Sequence, residues 1–235
     1  MRTRLGKRLR ALGLPSFAHY LRYLAADASG QERQQLIEAL TTNKTGFFRE
    51  PQHFAFLQRE LPALCRRSAR LRFWSAGCAS GEEPYSLAMV LWEHVPDLAQ
   101  RDVRILATDI ATAVLQRARQ GRYDAQALQA VPAPLRHKYF TAVAPGVYRV
   151  QARLRALVRF ARLNLLDPWP MRGPFDVILC RNVMIYFDRE TRANLVQRFV
   201  RLLSPGGYLF TGHAESLVNL APGLRYVQPA VYQKR

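Results

Sequence analysis

The segment from Phe175 to Asp188 constrains the fold of this chain most. Phe175-Asp176-Val177-Ile178-Leu179-Cys180 is an apolar run preceded by Pro174, and it passes directly into Arg181-Asn182, with Tyr186 shortly after. Such a run reads as a strand. In open α/β sheets, ligands bind at the carboxyl ends of the strands. A strand that runs into Arg, Asn and Tyr therefore has the form of a site floor. Taken alone, it is equally a core strand with a polar exit loop. Two further segments of the same kind favour the site.

The first is Leu71 to Ser86. A strand ending at Ala76 meets a turn of small residues, Gly77-Cys78-Ala79-Ser80-Gly81, and a helix follows from about Pro84. Gly77, Ala79 and Gly81 let backbone approach a ligand closely. The helix opens on Glu82-Glu83, which argues against a phosphate cradle, since that chemistry wants free amides and Lys or Arg. A carboxylate there suits a ligand with hydroxyls or positive charge. The second segment is Val103 to Asp109, a strand that ends in an acid. An acid in this place takes ribose hydroxyls or caps the next helix, and Asp109 is positioned for either. Strand, small turn, helix, strand and acid together describe a Rossmann-like nucleotide site without phosphate chemistry. S-adenosylmethionine is a ligand of that description.

The rest of the chain falls into order around these strands. Parallel strands are expected at 71–76, 103–108, 157–163 and 175–180, with 206–211 next in the same sheet. Helices are expected near 84–94, 111–119 and 189–203. Leu224–Val227 and Ala230–Gln233 read as a terminal hairpin. Pro132, Pro134 and a turn at Pro145-Gly146 mark 121–156 as an insertion with a short β-ribbon. Before the sheet the pattern is helical throughout. Leu5, Leu9 and Leu12 make one stripe, with Arg4, Lys7 and Arg8 off it as a basic face. Further helices start near Phe17, Gln31 and Pro51. The expected division is a helical substrate-recognition unit with its linker at 1–68, and a cofactor-binding domain at 69–235 carrying the insertion.

Charge narrows the partners. Lys and Arg number 35 against 17 Asp and Glu, a net +18. The excess is local: residues 1–24 carry Arg2, Arg4, Lys7, Arg8, Arg10 and Arg22 with no acid, and 147–163 carry five arginines with none. Such patches ask for an acidic partner, either nucleic acid or protein. No apolar run reaches the ~18 residues of a membrane span, and no secretory signal is visible. Cys65, Cys78 and Cys180 form no CxxC spacing, which fits reduced thiols and no zinc site.

Four segments together resemble the chemotaxis receptor glutamate methyltransferases, the CheR family: Thr41 to Glu50, Trp74 to Ser86, Leu163 to Leu166, and Cys180 to Asp188. The similarity runs from about Arg2 to Tyr232. It implies an α/β fold, with a Rossmann-like class I methyltransferase sheet, a small N-terminal all-helical domain and an inserted β-subdomain. The helical unit is shorter here than the family pattern implies. The resemblance also implies S-adenosylmethionine as methyl donor, S-adenosylhomocysteine as product, and no metal. Asn43, Thr45 and Arg49 then form the linker-side wall of the cofactor pocket, with Arg49 near the methionine moiety or the incoming carboxylate. Gly77 admits the cofactor, and Glu83, rather than Glu82, takes its amino-acid end. Asp109 accepts ribose hydroxyls, and Asn164 and Leu165 hold adenine. Arg181 and Asn182 finish the floor, and Tyr186 lies beside the transferred methyl. His213 is read as structural.

The implied substrate is the cytoplasmic helical domain of chemotaxis-type receptors, met by Arg4, Lys7 and Arg8. Arg149, Arg153, Arg155 and Arg159 are candidates for the same acidic surface. The link between the two ribbon strands is short, so recruitment is expected without a C-terminal receptor pentapeptide. A monomer is expected, cytoplasmic and peripheral at receptor arrays. A nucleic-acid methyltransferase is the rival that the charge supports. The Asp/Asn-Pro-Pro-Tyr motif of amino methylation is missing, since the strand end reads Arg181-Asn182-Val183-Met184. A non-catalytic cofactor sensor is the third reading, and intact Arg49, Asp109, Asn182 and Tyr186 argue against it.

Overall fold

A computed structural model describes residues 2–217 and 222–235, with side chains from Leu5 onward. Four helices come first: α1 (Arg2–Ala11), α2 (Phe17–Ala26), α3 (Gln31–Leu40) and α4 (Pro51–Arg67). Ser16 caps α2 by accepting from the His19 amide at 3.4 Å. Pro51 starts α4, where its missing N–H costs nothing. Glu32 joins the first three helices. Its carboxylate accepts from Arg8 Nε at 2.8 Å and from the Tyr20 hydroxyl at 2.8 Å, and it is buried. Burial, with the Glu32 carboxylate beside it, pushes the Tyr20 hydroxyl up to about 12.

Alternating strands and helices follow: β1 (Arg70–Ala76), α5 (Glu82–His94), β2 (Asp102–Asp109) and α6 (Thr112–Gln120). The insertion comes next, with β3 (Arg122–Asp124), α7 (Ala133–Tyr139), β4 (Phe140–Ala144), β5 (Val147–Val150) and α8 (Ala152–Leu157). The chain returns through β6 (Val158–Arg162), β7 (Phe175–Cys180), α9 (Arg189–Leu202), β8 (Leu203–Thr211), β9 (Leu224–Gln228) and β10 (Val231–Lys234). Seven strands form one sheet in the order β6-β2-β1-β7-β8-β10-β9. The first five are parallel; β10 runs antiparallel to β8 and to β9. The order reverses between β1 and β7, and that switch point is where such sheets bind ligands.

The strands form where they do because both faces of the sheet are covered. On one side α4 and α5 bring Phe54, Leu57, Leu61, Leu87 and Leu91 onto Leu71, Phe73 and Val177. On the other, α9 brings Leu195, Val196 and Phe199 onto Trp74, Ile178 and Leu209. Trp74 Nε1 donates to Thr108 Oγ1 at 2.9 Å, so even the large indole leaves no buried donor unpaired. The insertion forms a three-stranded sheet, β3-β5-β4, rather than a two-stranded ribbon. Only Pro145 and Gly146 separate β4 from β5, with Gly146 at φ +69°. β8 starts earlier than the Pro205-Gly206-Gly207 turn signal suggests. A register shift between Phe175 and Val177 absorbs the turn residues within the pairing.

Besides α4, which packs on the sheet, α3 and the linker also tie the helical unit to the rest of the chain. Glu38 of α3 accepts from Thr112 Oγ1 at 2.7 Å and from the Ala113 amide at 3.1 Å, so it caps α6 from another element. In the linker, Phe47 is buried edge-on against Tyr123 and Phe140 of the insertion, with ring centroids 4.9 and 5.4 Å away.

Candidate active site

A cavity of about 720 Å³ opens at the carboxyl ends of β1, β2 and β7. Its size is that of a small-molecule site. Its walls come from five parts of the chain: the end of α3 with the linker, the β1–α5 turn, the end of β2, residues 163–166, and the segment after β7. Asn43, Thr45, Arg49, Gly77, Glu83, Asp109, Asn164, Leu165, Arg181, Asn182 and Tyr186 all line it. Glu82 does not; it turns to Ser80, whose hydroxyl reaches both of its oxygens.

The β1–α5 turn is shaped by its small residues. Gly77 sits at φ +93°, and a Cβ there would lie 2.4 Å from Val183 Cγ2. Both the Gly77 and the Cys78 amides donate to Thr108 O, at 2.8 and 2.9 Å. Ala79 is held at φ +45°, its amide donating to Asp109 Oδ2 at 2.8 Å. The other oxygen of Asp109 accepts from the Ala111 amide at 3.0 Å. Asp109 thus starts the next helix and braces the turn while still facing the cavity. Burial raises its pKa, and the amide bonds oppose that rise. A carboxylate has about four acceptor positions, so the amides leave Asp109 acceptor capacity on its cavity side.

The floor is an ionic cluster. Arg181 is almost fully buried and donates to Glu83 Oε2 and Glu50 Oε2, both at 3.0 Å. It also bonds the carbonyl of Arg49. Glu83 Oε1 accepts from Ser75 Oγ at 2.7 Å. Burial raises the Glu83 pKa in spite of Arg181. For Glu50 burial acts the same way, but the charge and hydrogen bonds of Arg181 outweigh it, and the group lies below its ordinary value. Two carboxylates share one guanidinium, and Asp109 adds a third acid. With Lys44, Arg49 and Arg181 beside Glu83 and Asp109, the cavity lining carries both signs of charge, its acids gathered at the ends of β1 and β2.

Beside this cluster, His53 Nδ1 lies 3.3 Å from Glu50 Oε2. Burial first, and Arg181 second, hold the His53 pKa down to about 4. The ring is neutral at pH 7, and the contact is no ion pair. Glu50, His53 and His213 bring three ligand-type atoms within 4.8 Å of one another. Arg181 already takes the charge of Glu50, and Gln52 contacts the His213 ring. The trio is a packed polar cluster rather than a ready metal centre.

The remaining residues lie at the edges. Asn164 shapes its own loop, accepting from the Leu166 amide at 3.1 Å and donating to Asp167. Arg49 folds back to the carbonyl of Lys44 at 2.8 Å and does not pair with Glu50. Tyr186 stands at the mouth, 60% exposed, and is no part of the core. Lys7 is exposed on α1, away from the cavity lining. The side chain of Arg4 lies outside the described residues. Arg8 needs a correction: it is bound to Glu32 across the helical unit, so it is a structural pair and not part of a free basic face.

Four contributors have no obvious sequence signal. Glu50 follows Arg49 in the sequence but pairs with the distant Arg181. Ile37 and Leu40 reach the cavity from the last turn of α3. Glu215 lies behind the floor and bonds the Asn182 amide.

This sheet order, with a cavity at its switch point, defines a Rossmann-like α/β protein with a small-molecule site. Residues 43–231 match the family described as CheR methyltransferase, SAM binding domain, and residues 1–41 match its all-alpha domain. The chain belongs to the CheR methyltransferase family. Chemotaxis protein methyltransferase 2 of Pseudomonas aeruginosa is 44% identical over 234 residues, 98% of this chain and 82% of that protein. The chemotaxis protein methyltransferase of Escherichia coli K12 is 44% identical over 222 residues, 93% of this chain and 76% of that one. A probable chemotaxis protein methyltransferase of Rhizobium etli is 42% identical over 220 residues, covering 91% and 82%. The protein is an S-adenosylmethionine-dependent methyltransferase of the chemotaxis type. Among the described residues, no helix is long and apolar enough to cross a membrane.

Proposed function

We propose that this enzyme esterifies glutamate side chains of chemotaxis-type receptors, using the methyl group of S-adenosylmethionine. The observation that carries the reading is a cavity at the switch point of the sheet, with the carboxylates of Asp109 and Glu83 on its walls and Tyr186 at its mouth. When bound, the cofactor supplies an electrophilic methyl on a sulfonium. The donor set fits it: Asp109 faces the cavity with acceptor capacity for a diol, Glu83 matches an ammonium, and Gly77 keeps the β1–α5 turn without a side chain on the cavity wall.

A glutamate side chain, with a reference pKa of about 4.3, is already ionised at neutral pH. It needs no proton removed. Alignment and dryness do the work instead. The single guanidinium of the floor is engaged by Glu50 and Glu83, so it is not free to bind the attacking carboxylate tightly and blunt it. Tyr186 at the mouth orients the incoming side chain, and Arg49 on the linker steers it. The helical unit of residues 1–68 presents the receptor helix, with Lys7 on its exposed face. Recruitment without a pentapeptide tether is kept as part of this reading, on the strength of the two-residue Pro145-Gly146 turn. The outer edge of the insertion is nonetheless open, with Thr141 to Ala144 of β4 exposed. A cytoplasmic site of action at receptor arrays follows from the substrate.

The test is transfer of labelled methyl from S-adenosylmethionine into receptor-containing membranes, followed by mild base. Label released as methanol supports glutamate esters. Base-stable label, or label in RNA instead, overturns the reading.

A further inference from the structure

We infer that Glu215 is a positioning residue of the methyltransferase site: its buried carboxylate fixes the turn that carries Asn182 and Tyr186. The inference rests on the function proposed above for its kinetic arm and is independent of it for its structural arm. Glu215 follows the end of β8 and returns beneath the segment that leaves β7. It is 1% exposed and does not line the cavity. Its Oε2 accepts from the Asn182 amide at 2.8 Å and from the Gly212 amide at 2.6 Å, while Oε1 accepts from the Ile185 amide at 3.1 Å. Among the described residues it has no ion pair. Three backbone amides compensate its charge.

Those amides belong to the part of the site that is hardest to hold. Asn182 has φ +58°, a left-handed conformation that a non-glycine residue keeps only when its surroundings insist. Met184 to Tyr186 form a single tight turn, closed by the Tyr186 amide on Val183 O at 3.3 Å. One turn has little stability of its own. Glu215 bonds both ends of this stretch, at 182 and at 185, and so sets the direction in which the next residue, Tyr186, leaves the floor. Glu215 is itself tied down. Its amide donates to Gly212 O at 2.8 Å, and Thr211 Oγ1 donates to its carbonyl at 3.0 Å. Gly212 is required by the same arrangement. A Cβ there would lie 2.5 Å from Asn182 Nδ2 and 2.8 Å from Glu215 Oε2.

The adenosine side of the cavity, with Asp109 and Asn164, does not touch this clamp. Loosening it therefore separates turnover from cofactor binding. Glu215→Gln keeps the shape and loses one acceptor. The remaining oxygen best serves the Asn182 and Gly212 amides, which leaves the Ile185 amide facing an NH2 group.

The experiment uses the full chain. It combines methylation kinetics on receptor membranes, calorimetry with S-adenosylhomocysteine, and amide hydrogen exchange at Asn182 and Ile185. For Glu215→Gln we expect kcat to fall about tenfold to a hundredfold, as small misplacements near reacting atoms do. Product affinity should stay within about threefold, and exchange at Ile185 should accelerate. Glu215→Asp, too short to reach both ends, should behave the same way. Glu60→Gln is the control. It removes a comparable carboxylate contact, to the Tyr208 hydroxyl at 2.6 Å, far from the cavity. Its turnover should match the wild type even where its melting temperature drops. Wild-type kcat in Glu215→Gln, or unchanged exchange at Ile185, overturns the inference. So does a parallel fall of kcat, affinity and melting temperature, since that marks general unfolding. If the wild-type protein does not methylate receptors, the proposed function fails, and the exchange measurement still decides the role of Glu215.

Discussion

Asp109→Asn is the sharpest single perturbation of this site. The substitution changes almost no volume. It replaces one acceptor oxygen with a donor, in a place where both oxygens are already used. Oδ2 receives the Ala79 amide at 2.8 Å and Oδ1 the Ala111 amide at 3.0 Å. Whichever way the new amide turns, one of those backbone donors meets an NH2 group, and one side of the ribose loses its charged acceptor. A hydrogen bond to a charged group is worth about 1.5–3 kcal/mol. At about 1.4 kcal/mol per tenfold, the dissociation constant for S-adenosylhomocysteine should rise roughly 10- to 150-fold. The unliganded protein should also lose about 1–3 kcal/mol, from the buried amide left without an acceptor.

The pH dependence gives an internal check. Burial holds the Asp109 pKa above the ordinary carboxylate value. The wild-type carboxylate therefore takes up a proton at a higher pH than an exposed one, and loses an acceptor as it does so. Lowering the pH from 7 towards the ordinary carboxylate range should weaken cofactor binding in the wild type more than in Asp109→Asn, which has no proton to gain. Isothermal calorimetry at both pH values, with unliganded urea curves, measures all of this. If the variant binds within about twofold of the wild type, Asp109 serves only the turn and the helix start, and the ribose assignment is wrong.

Tyr186→Phe should lower turnover while leaving cofactor affinity nearly unchanged, read from kcat beside a calorimetric binding constant. Lys7→Glu should raise the Michaelis constant for receptor at low ionic strength, and added salt should erase the difference; equal constants at low salt would mark Lys7 as merely solvated. Glu38→Ala removes the acceptor that caps α6 from α3 and should cost about 1–2 kcal/mol in urea unfolding. His53 has a pKa depressed to about 4, so the unfolded chain binds its proton first and stability is lost as pH falls from about 6.5 towards 4. His53→Leu should flatten that loss, seen as a smaller difference between urea midpoints at pH 7 and pH 5.

The parts of this molecule that could be read from sequence are those governed by local pattern. The apolar run of β7 and the small-residue turn after β1 carry their own signals, and so does the acid ending β2. The cavity then gathers these segments because strand ends of one parallel sheet meet there. What escaped were pairings between distant segments. Arg8 looked like one charge of a basic face, and its tie to Glu32 spans two helices with no spacing rule to reveal it. Glu50 stood next to Arg49 in sequence yet binds Arg181, because the left-handed Glu50 at φ +56° turns its carboxylate towards the floor. The third strand of the insertion has only three residues, too few for a periodic pattern. Glu215 shows nothing in sequence beyond an acid after a strand, because two of the three amides it holds lie 30 or more positions earlier.

The cavity straddles a joint. Ile37 and Leu40 wall it from the helical unit, while Asp109 and Asn164 wall it from the sheet, and Glu38 is the polar contact that α3 makes across the seam to α6. A ligand that touches both walls acts as a bolt. It adds its own binding free energy to the hold between the two units, about 2.7 kcal/mol at a concentration one hundred times its dissociation constant. The helical unit is therefore set most firmly when the methyl donor is aboard.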